Sequence, residues 1–558
     1  MLDDRSKSVW GRSMVVLATV ACLVAGCGTG ESSSSGPASS GSIAADLTKE
    51  GNAGAPQDGG ALSVALTGET NSWNPYQGQW ASSSYIVANA IFDPLAAVDP
   101  QGKVHGYLAQ SFVANADFTQ WTIRLRPDIL FHNSERLDAA AVKANLEFGR
   151  KSGLTAQGFA PITAIEVLDP LTVVVKLNKP WSTFPLGLSG QPGYMAAPAM
   201  LADPSGGNKP IGTGPFVFQE WIRDAKLRVK KNPKYWRNGL PHVDSITFSV
   251  LADAQSRTQS LSSLSSNVIE NSTPQQMLDL QQRAAAGSLQ MITNVGQDSD
   301  ETIIALNTAT EPFNDPIARQ AIQLGLNQDE LSTTSFDGAY PAARGPSTPG
   351  SPFYLSPADA GYPPFDPVKA KELVKQYEKK HGKPLAFTAL IPSDPAAASI
   401  AQALQSQAQE AGATVTLQTL EQAKLITTVL TGDYQASGFV LYSTPTLDRA
   451  YPFIATKPTP LPGLSLNFTR NDNPRITAAM DAARATDDPA QQMEQYAIVQ
   501  REMATDADPI FLVHNVGGIA YANTVHGVSA TTLVDGGGEA RAGNGIVTPF
   551  LTSAWVDR

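Results

Sequence analysis

The chain has 558 residues, of which 42% are apolar and 16% charged, a balance that excludes disorder and leaves room for roughly three or four domain-sized units. A formal net charge of −11 with no basic stripe excludes nucleic acid as a partner, because nothing would neutralise a phosphate backbone.

Arg5, Lys7 and Arg12 precede the apolar run Met14–Val24. That run is well short of the ~20 residues a membrane span needs, so it reads as the core of a signal peptide. It closes on Leu23-Val24-Ala25-Gly26-Cys27, which resembles the lipobox of bacterial lipoproteins, whose cysteine thiol takes a diacylglycerol. The resemblance implies a signal over residues 1–26, loss of Cys22 with it, and a mature chain beginning at a lipidated Cys27 with no second cysteine for a disulfide. Residues 27–60 are rich in Ser, Gly, Ala and Pro and cannot bury a core. They are expected to stay flexible as a tether of roughly 30 Å.

Alternation in Ala61–Leu66 predicts a first strand, Trp73-Asn74-Pro75-Tyr76 a turn, and Ser84–Phe92 a helix that ends at Asp93-Pro94. Trp121, Ile123 and Leu125 alternate with polar neighbours in a half-buried strand. Leu137–Arg150 follows as a helix with Asp138 as N-cap and Val142, Asn145, Leu146 and Gly149 on one face. His132 and Asp138 lack further ligands at helical spacing, which favours structural roles over a metal site. Thr172–Leu177 is a β-branched strand, and Trp181–Phe184 begins a helix-like segment.

Gly212-Thr213-Gly214-Pro215 reads as a tight turn in which two glycines permit φ > 0. Phe216 and Phe218, then Leu227 and Val229, then Ile246, Phe248 and Val250 mark three strands around the aromatic pair Tyr235-Trp236. Thr302–Asn307 is a strand leading to Asp315-Pro316, a helix start. Ala370, Leu373, Val374 and Tyr377 line a helix ending at Gly382. Leu385–Ile391, a helix lined by Ile400, Leu404, Ala408 and Ala411, and Val415–Leu417 then alternate as strand, helix and strand, a βαβ pattern. Two helices carry Ile476 to Ala483 and Met493 to Met503. Pro509–His514 is expected as a strand returning to the first lobe.

Three blocks resemble the extracellular solute-binding proteins of the peptide/nickel class, the receptors of ABC importers. One is Gly212-Thr213-Gly214-Pro215-Phe216 with Asn232, Tyr235-Trp236, Pro241 and Asp244 downstream. The second runs from Trp121 to Asn133, with Ser134 where glycine is usual in the family. The third is Leu306-Asn307 followed by Pro312-Phe313, Asp315, Arg319 and Ala321. The resemblance implies an α/β, two-lobed periplasmic-binding-protein-like fold with an inserted subdomain and a hinge. Residues 61–90, 209–298 and 509–558 would form the base lobe, 91–208 the inserted subdomain and 299–508 the second lobe.

It also implies capture of a peptide or peptide-like solute between the lobes and delivery to an ABC permease by a monomer held at the membrane through Cys27. The residues expected to line the cleft are Trp73, Tyr76, Thr213, Gly214, Asn307, Tyr442, Ser443 and Asp448; Trp73 and Tyr76 read equally as core aromatics. Peptide-binding relatives carry G-x-W-x-A-D-Y-x-D-P where this chain has Tyr434–Phe453, and their first aspartate pairs with the ligand's α-ammonium. Here Phe439 or Val440 stands near the tryptophan place and Ser443 or Thr444 near the aspartate's. A buried ammonium needs a counter-charge. Either Asp448 supplies it, or the ligand carries no ammonium there.

No enzyme constellation is present in the sequence. Gly187-Leu188-Ser189-Gly190 lacks nucleophile-elbow spacing, Gly212-Thr213-Gly214 lacks a third glycine and a Walker lysine, and the six histidines are scattered. No cofactor or metal is expected. Two other classes stay open: a non-transporting lipoprotein that regulates envelope assembly through partner binding, and an envelope hydrolase.

Overall fold

Period-two alternation builds the first sheet. Ala61–Leu66 and Ser245–Val250 pair in parallel with Ala61 opposite Ser245, so Leu62, Val64, Ile246 and Phe248 fall on buried positions. In the computed structural model, residues 54–558 are described apart from 100, 154, 295–299, 394, 442–445, 459–463, 529–530, 537, 541–542, 545 and 548. The expected signal, Cys27 and the tether as far as residue 53 lie outside the described residues. Among the described residues no helix is long and apolar enough to cross a membrane.

The strand order of this seven-stranded sheet is Gln290–Thr293, Gly518–Tyr521, Val268–Asn271, Ala61–Leu66, Ser245–Val250, Lys226–Lys231 and Phe216–Ile222. The expected tether is already fixed at its end: the Gly59 N–H donates to the His242 carbonyl at 2.8 Å and the Gly60 N–H to Asp244 at 3.1 Å. Backbone pairing beside the first strand reaches further back than the apolar pattern does.

A four-stranded antiparallel sheet holds Ala109–Ala114, Gln120–Leu125, Thr172–Leu177 and Ile162–Asp169 in that order. The helix Ala139–Lys151 packs against it. Asp138 caps that helix by accepting from the Ala141 N–H at 2.8 Å, and Arg150 and Lys151 occupy its last turn, where the dipole favours cations. Ser134 adopts φ 71°, a left-handed conformation that glycine takes more readily than serine.

The third sheet has five strands, in the order Thr414–Leu420, Ala386–Pro392, Ala436–Leu441, Glu301–Leu306 and Ile510–His514. The first two are parallel and joined by the helix Pro395–Glu410, the βαβ unit the sequence predicts. Ile510–His514 differs from expectation. It pairs antiparallel with Glu301–Leu306 instead of entering the seven-stranded sheet, which the chain joins only at Gly518. The strand is buried throughout, so it carries no polar alternation to say which sheet it completes.

Between these two sheets the chain crosses twice, and the crossings lie side by side. The Asn515 N–H donates to Asp300 at 2.7 Å, Asn294 Nδ2 to the Asn515 carbonyl at 3.1 Å, the Gly517 N–H to Asn294 Oδ1 at 2.9 Å, and Thr302 Oγ1 to Asn515 Oδ1 at 2.7 Å.

Candidate functional site

The Gly-Thr-Gly-Pro turn is organised around a buried carboxylate. Asp93 lies just beyond the helix Ser82–Ile91 and is 1% exposed. It accepts from Thr213 Oγ1 at 3.0 Å, Trp236 Nε1 at 2.9 Å and Tyr235 Oη at 3.0 Å. Burial pushes its pKa up, while those three bonds and the nearby Arg237 pull the other way. Asp93 thus ties the turn and the Tyr-Trp pair to the end of the helix.

The glycines have a different reason from the expected one. Neither Gly212 nor Gly214 has positive φ. A Cβ on Gly212 would lie 2.1 Å from the Ile91 carbonyl oxygen, and one on Gly214 2.5 Å from the Ile91 carbonyl carbon. They are needed because two backbones touch. The Gly214 carbonyl accepts from His132 Nε2 and Asn232 Nδ2, both at 3.0 Å. Burial lowers the His132 pKa to about 4, so its ring is neutral at pH 7, in the structural role its sequence context suggested.

A second cluster joins the segment after the four-stranded sheet to the segment after Ala436–Leu441. Trp181 Nε1 donates to Asp448 Oδ2 at 2.9 Å, and the other oxygen of Asp448 accepts from Arg484 Nε. Arg484 is the last residue of the helix Pro474–Arg484, and its guanidinium lies 4.2 Å from the Trp181 ring and 3.7 Å from the Tyr451 ring. Around it the Ser182 N–H donates to the Arg484 carbonyl at 2.7 Å, Lys179 pairs with Asp481 at 2.8 Å, and Arg449 donates to Ser189 Oγ and, at 3.2 Å, to the Leu186 carbonyl. The Asp448 and Arg484 side chains are 3% and 7% exposed, so the pair is desolvated and mutually neutralised.

The protein also has a groove of about 550 Å³. Tyr76, Phe148 and Lys151 line one side, and Leu430, Leu464 and Leu466 line the other. The Leu466 N–H, at its edge, donates to Gln157 Oε1 at 3.0 Å.

Of the residues expected at the cleft, Tyr76 lines this groove, with its hydroxyl 3.2 Å from Asn145 Oδ1. Trp73 is 1% exposed and packs edge-on to Trp221 at 5.6 Å. Thr213 and Gly214 sit in the Asp93 network. Asn307 is buried and donates to the carbonyls of Gly432 and Tyr434 at 3.0 and 2.9 Å. Tyr442 and Ser443 lie outside the described residues. Asp448 belongs to the Trp181–Arg484 cluster. Sequence reasoning missed Trp181, Arg484 and Arg449, because their partners lie 260 to 267 residues away or, for Arg484, on a helix end with no motif of its own. Among the described residues no group of three or more His, Cys, Asp or Glu is placed to hold a metal ion.

The model of the bacterial extracellular solute-binding proteins, family 5, matches residues 103–458. The glutathione-binding protein GsiB of Pectobacterium atrosepticum is 29% identical over 447 residues, which cover 77% of this chain and 84% of that protein. Among solved structures, the A. tumefaciens R10 binding protein AgaA in complex with agropinic acid superposes with a TM-score of 0.77 at 24% identity, covering 89% of this chain and 99% of its own. The Bacillus subtilis oligopeptide-binding protein AppA in complex with a nonapeptide gives a TM-score of 0.75 at 21% identity, covering 90% and 100%. The architecture is the expected α/β, two-lobed periplasmic-binding-protein fold. With its family signature spanning more than half its length, the chain belongs to the bacterial extracellular solute-binding proteins of family 5, which are binding proteins and not enzymes.

Proposed function

We propose that this protein captures a peptide-like solute between its lobes and hands it to an ABC permease. The observation that carries the reading is the Trp181–Asp448–Arg484 junction, which bridges the segments that would face each other across the cleft. A solute touching both sides would add to these contacts only in the closed form, and that difference in affinity is what shifts a two-state balance. The lobes are read as 61–90 with 209–298 and the segment from Gly518 onward, and 299–508 together with the strand Ile510–His514, with 91–208 inserted. The groove beside Tyr76 is read as part of the cleft.

The state of Asp448 bears on the ligand. Its two oxygens already serve Arg484 and Trp181, so it offers no uncompensated charge to an incoming ammonium. A solute whose α-amine is blocked, modified or turned elsewhere suits this site better than a plain peptide; the similarity to glutathione-binding proteins fits such an atypical peptide. Calorimetry with glutathione and with free and N-acetylated tripeptides tests this: equal affinity for the acetylated and free forms supports it, and a strong loss on acetylation refutes it. The protein is further read as a monomer anchored through a diacylated Cys27, whose two chains meet the two-signal requirement for stable anchoring. Cys27→Ser should release it from the membrane fraction, and intact-mass analysis of the wild type should show the lipid.

A further inference from the structure

The face of the five-stranded sheet under the helices Pro395–Glu410 and Gln422–Thr431 is not filled. A cavity of about 470 Å³ lies there, some three times the roughly 150 Å³ pocket that takes benzene in an engineered protein core. Gly438 on its wall is exposed, so the space opens to solvent, whereas a helix-covered sheet face is normally close-packed.

The sequence builds the gap with small residues. On the cavity side of the sheet the central positions are Ala389, Ala436 and Gly438, and the facing helix supplies Ala401 and Ala408. A Cβ on Gly438 would meet nothing within 4 Å, although the residue sits mid-strand, where glycine weakens a sheet and often marks the approach of another group. Ile304, Ile400 and Leu404, at the heart of a helix-covered sheet, are only half-buried for the same reason.

The lining defines what fits. Among the described residues no charged side chain borders the cavity. The polar groups that do are already bonded within the protein: Gln405 Nε2 to the Val415 carbonyl at 2.7 Å, Thr302 Oγ1 to Asn515 at 2.7 Å, and Ser437 Oγ to the Leu390 carbonyl at 3.4 Å. A guest with charge or hydrogen-bonding needs would go unpaired. From these observations we infer that the second lobe carries a binding site for a neutral aliphatic molecule, a hydrocarbon chain on the order of a dozen carbons, separate from the groove beside Tyr76.

The experiment uses the intact protein stripped of co-purified lipid and titrated with 1-dodecanol, read by calorimetry and thermal shift. The wild type is expected to bind saturably and melt higher with the alcohol. Ala401→Phe and Gly438→Leu, which fill the cavity from opposite walls, should each weaken binding at least tenfold while circular dichroism stays native. Two variants guard against one misfolding. Absence of saturable binding to the wild type, or full-strength binding in both folded variants, overturns the proposal. A higher melting temperature for the filled variants without dodecanol binding to the wild type also overturns it, because the space would then be a mere packing defect.

Discussion

Trp181 and Asp448 are 267 residues apart in sequence, and the indole N–H of one is 2.9 Å from the carboxylate of the other. Removing the donor while keeping a ring isolates that bond. Trp181→Phe should remove about 1.5–3 kcal/mol, the range for a hydrogen bond to a charged group. Because the bond exists only when the two segments meet, the loss should appear as weaker solute binding, by about tenfold or more. Calorimetry gives the affinity, and small-angle scattering of the ligand-free protein should show a larger radius. Unchanged affinity and radius would mean that the junction does not govern closure.

Asp448→Asn tests a different aspect of the same cluster, the charge. It leaves Arg484 buried without a counter-ion, which costs about 3–5 kcal/mol. Adding Arg484→Met to that variant should recover much of the stability, since an apolar side chain of similar length needs no partner. Urea unfolding of the single and double variants supplies the comparison; equal midpoints for the two would reject the ion-pair account.

Gly214→Ala drives a methyl into the Ile91 backbone, and neither backbone can rotate away. A loss of about 1–3 kcal/mol or more is expected, as for an overpacked core. Gly438→Ala is the control, since its Cβ enters open space and should cost well under 1 kcal/mol. Thermal melts that rank the two the other way would contradict the close-approach reading.

Asp508 is buried, and burial raises its pKa to about 7 against the opposing pull of Arg319. The unfolded chain ionises near pH 4 while the folded one keeps its proton. This residue's contribution is therefore full below pH 4 and is lost as pH rises to about 7, by about 4 kcal/mol. His132 and His514, both lowered to about 4 by burial, act in the opposite sense, their contributions being full above pH 6.5 and lost as pH falls to about 4. Asp508→Asn removes only the first effect. Relative to wild type it should gain stability between pH 4.5 and 8, as urea midpoints can show; parallel curves would reject the assignment.

Local features of this protein were legible where short-range physics decides them. Asp138 caps its helix and Asp315 starts its own as read, because a side chain bonding an amide two or three residues on needs only neighbouring sequence. The Gly-Thr-Gly-Pro block was recognisable as a motif, but its cause was not, since the Ile91 backbone it touches is invisible from the turn itself. The same holds for the Trp181–Asp448 contact and for the sheet joined by Ile510–His514: each is settled by which surfaces meet after two distant units have folded. Asp448 could be read as a charge near the cleft. That Arg484 answers it could not.

The paired crossings at Asn294 and Asn515 carry a mechanical consequence. Two strands laced by side-chain amides resist sliding past each other, since a shift of one residue would break three bonds at once. They tolerate a common bend, which leaves the lacing intact. Any motion between the seven- and five-stranded sheets is therefore expected to pivot at this laced pair rather than slide through it, like a door on a pair of pins.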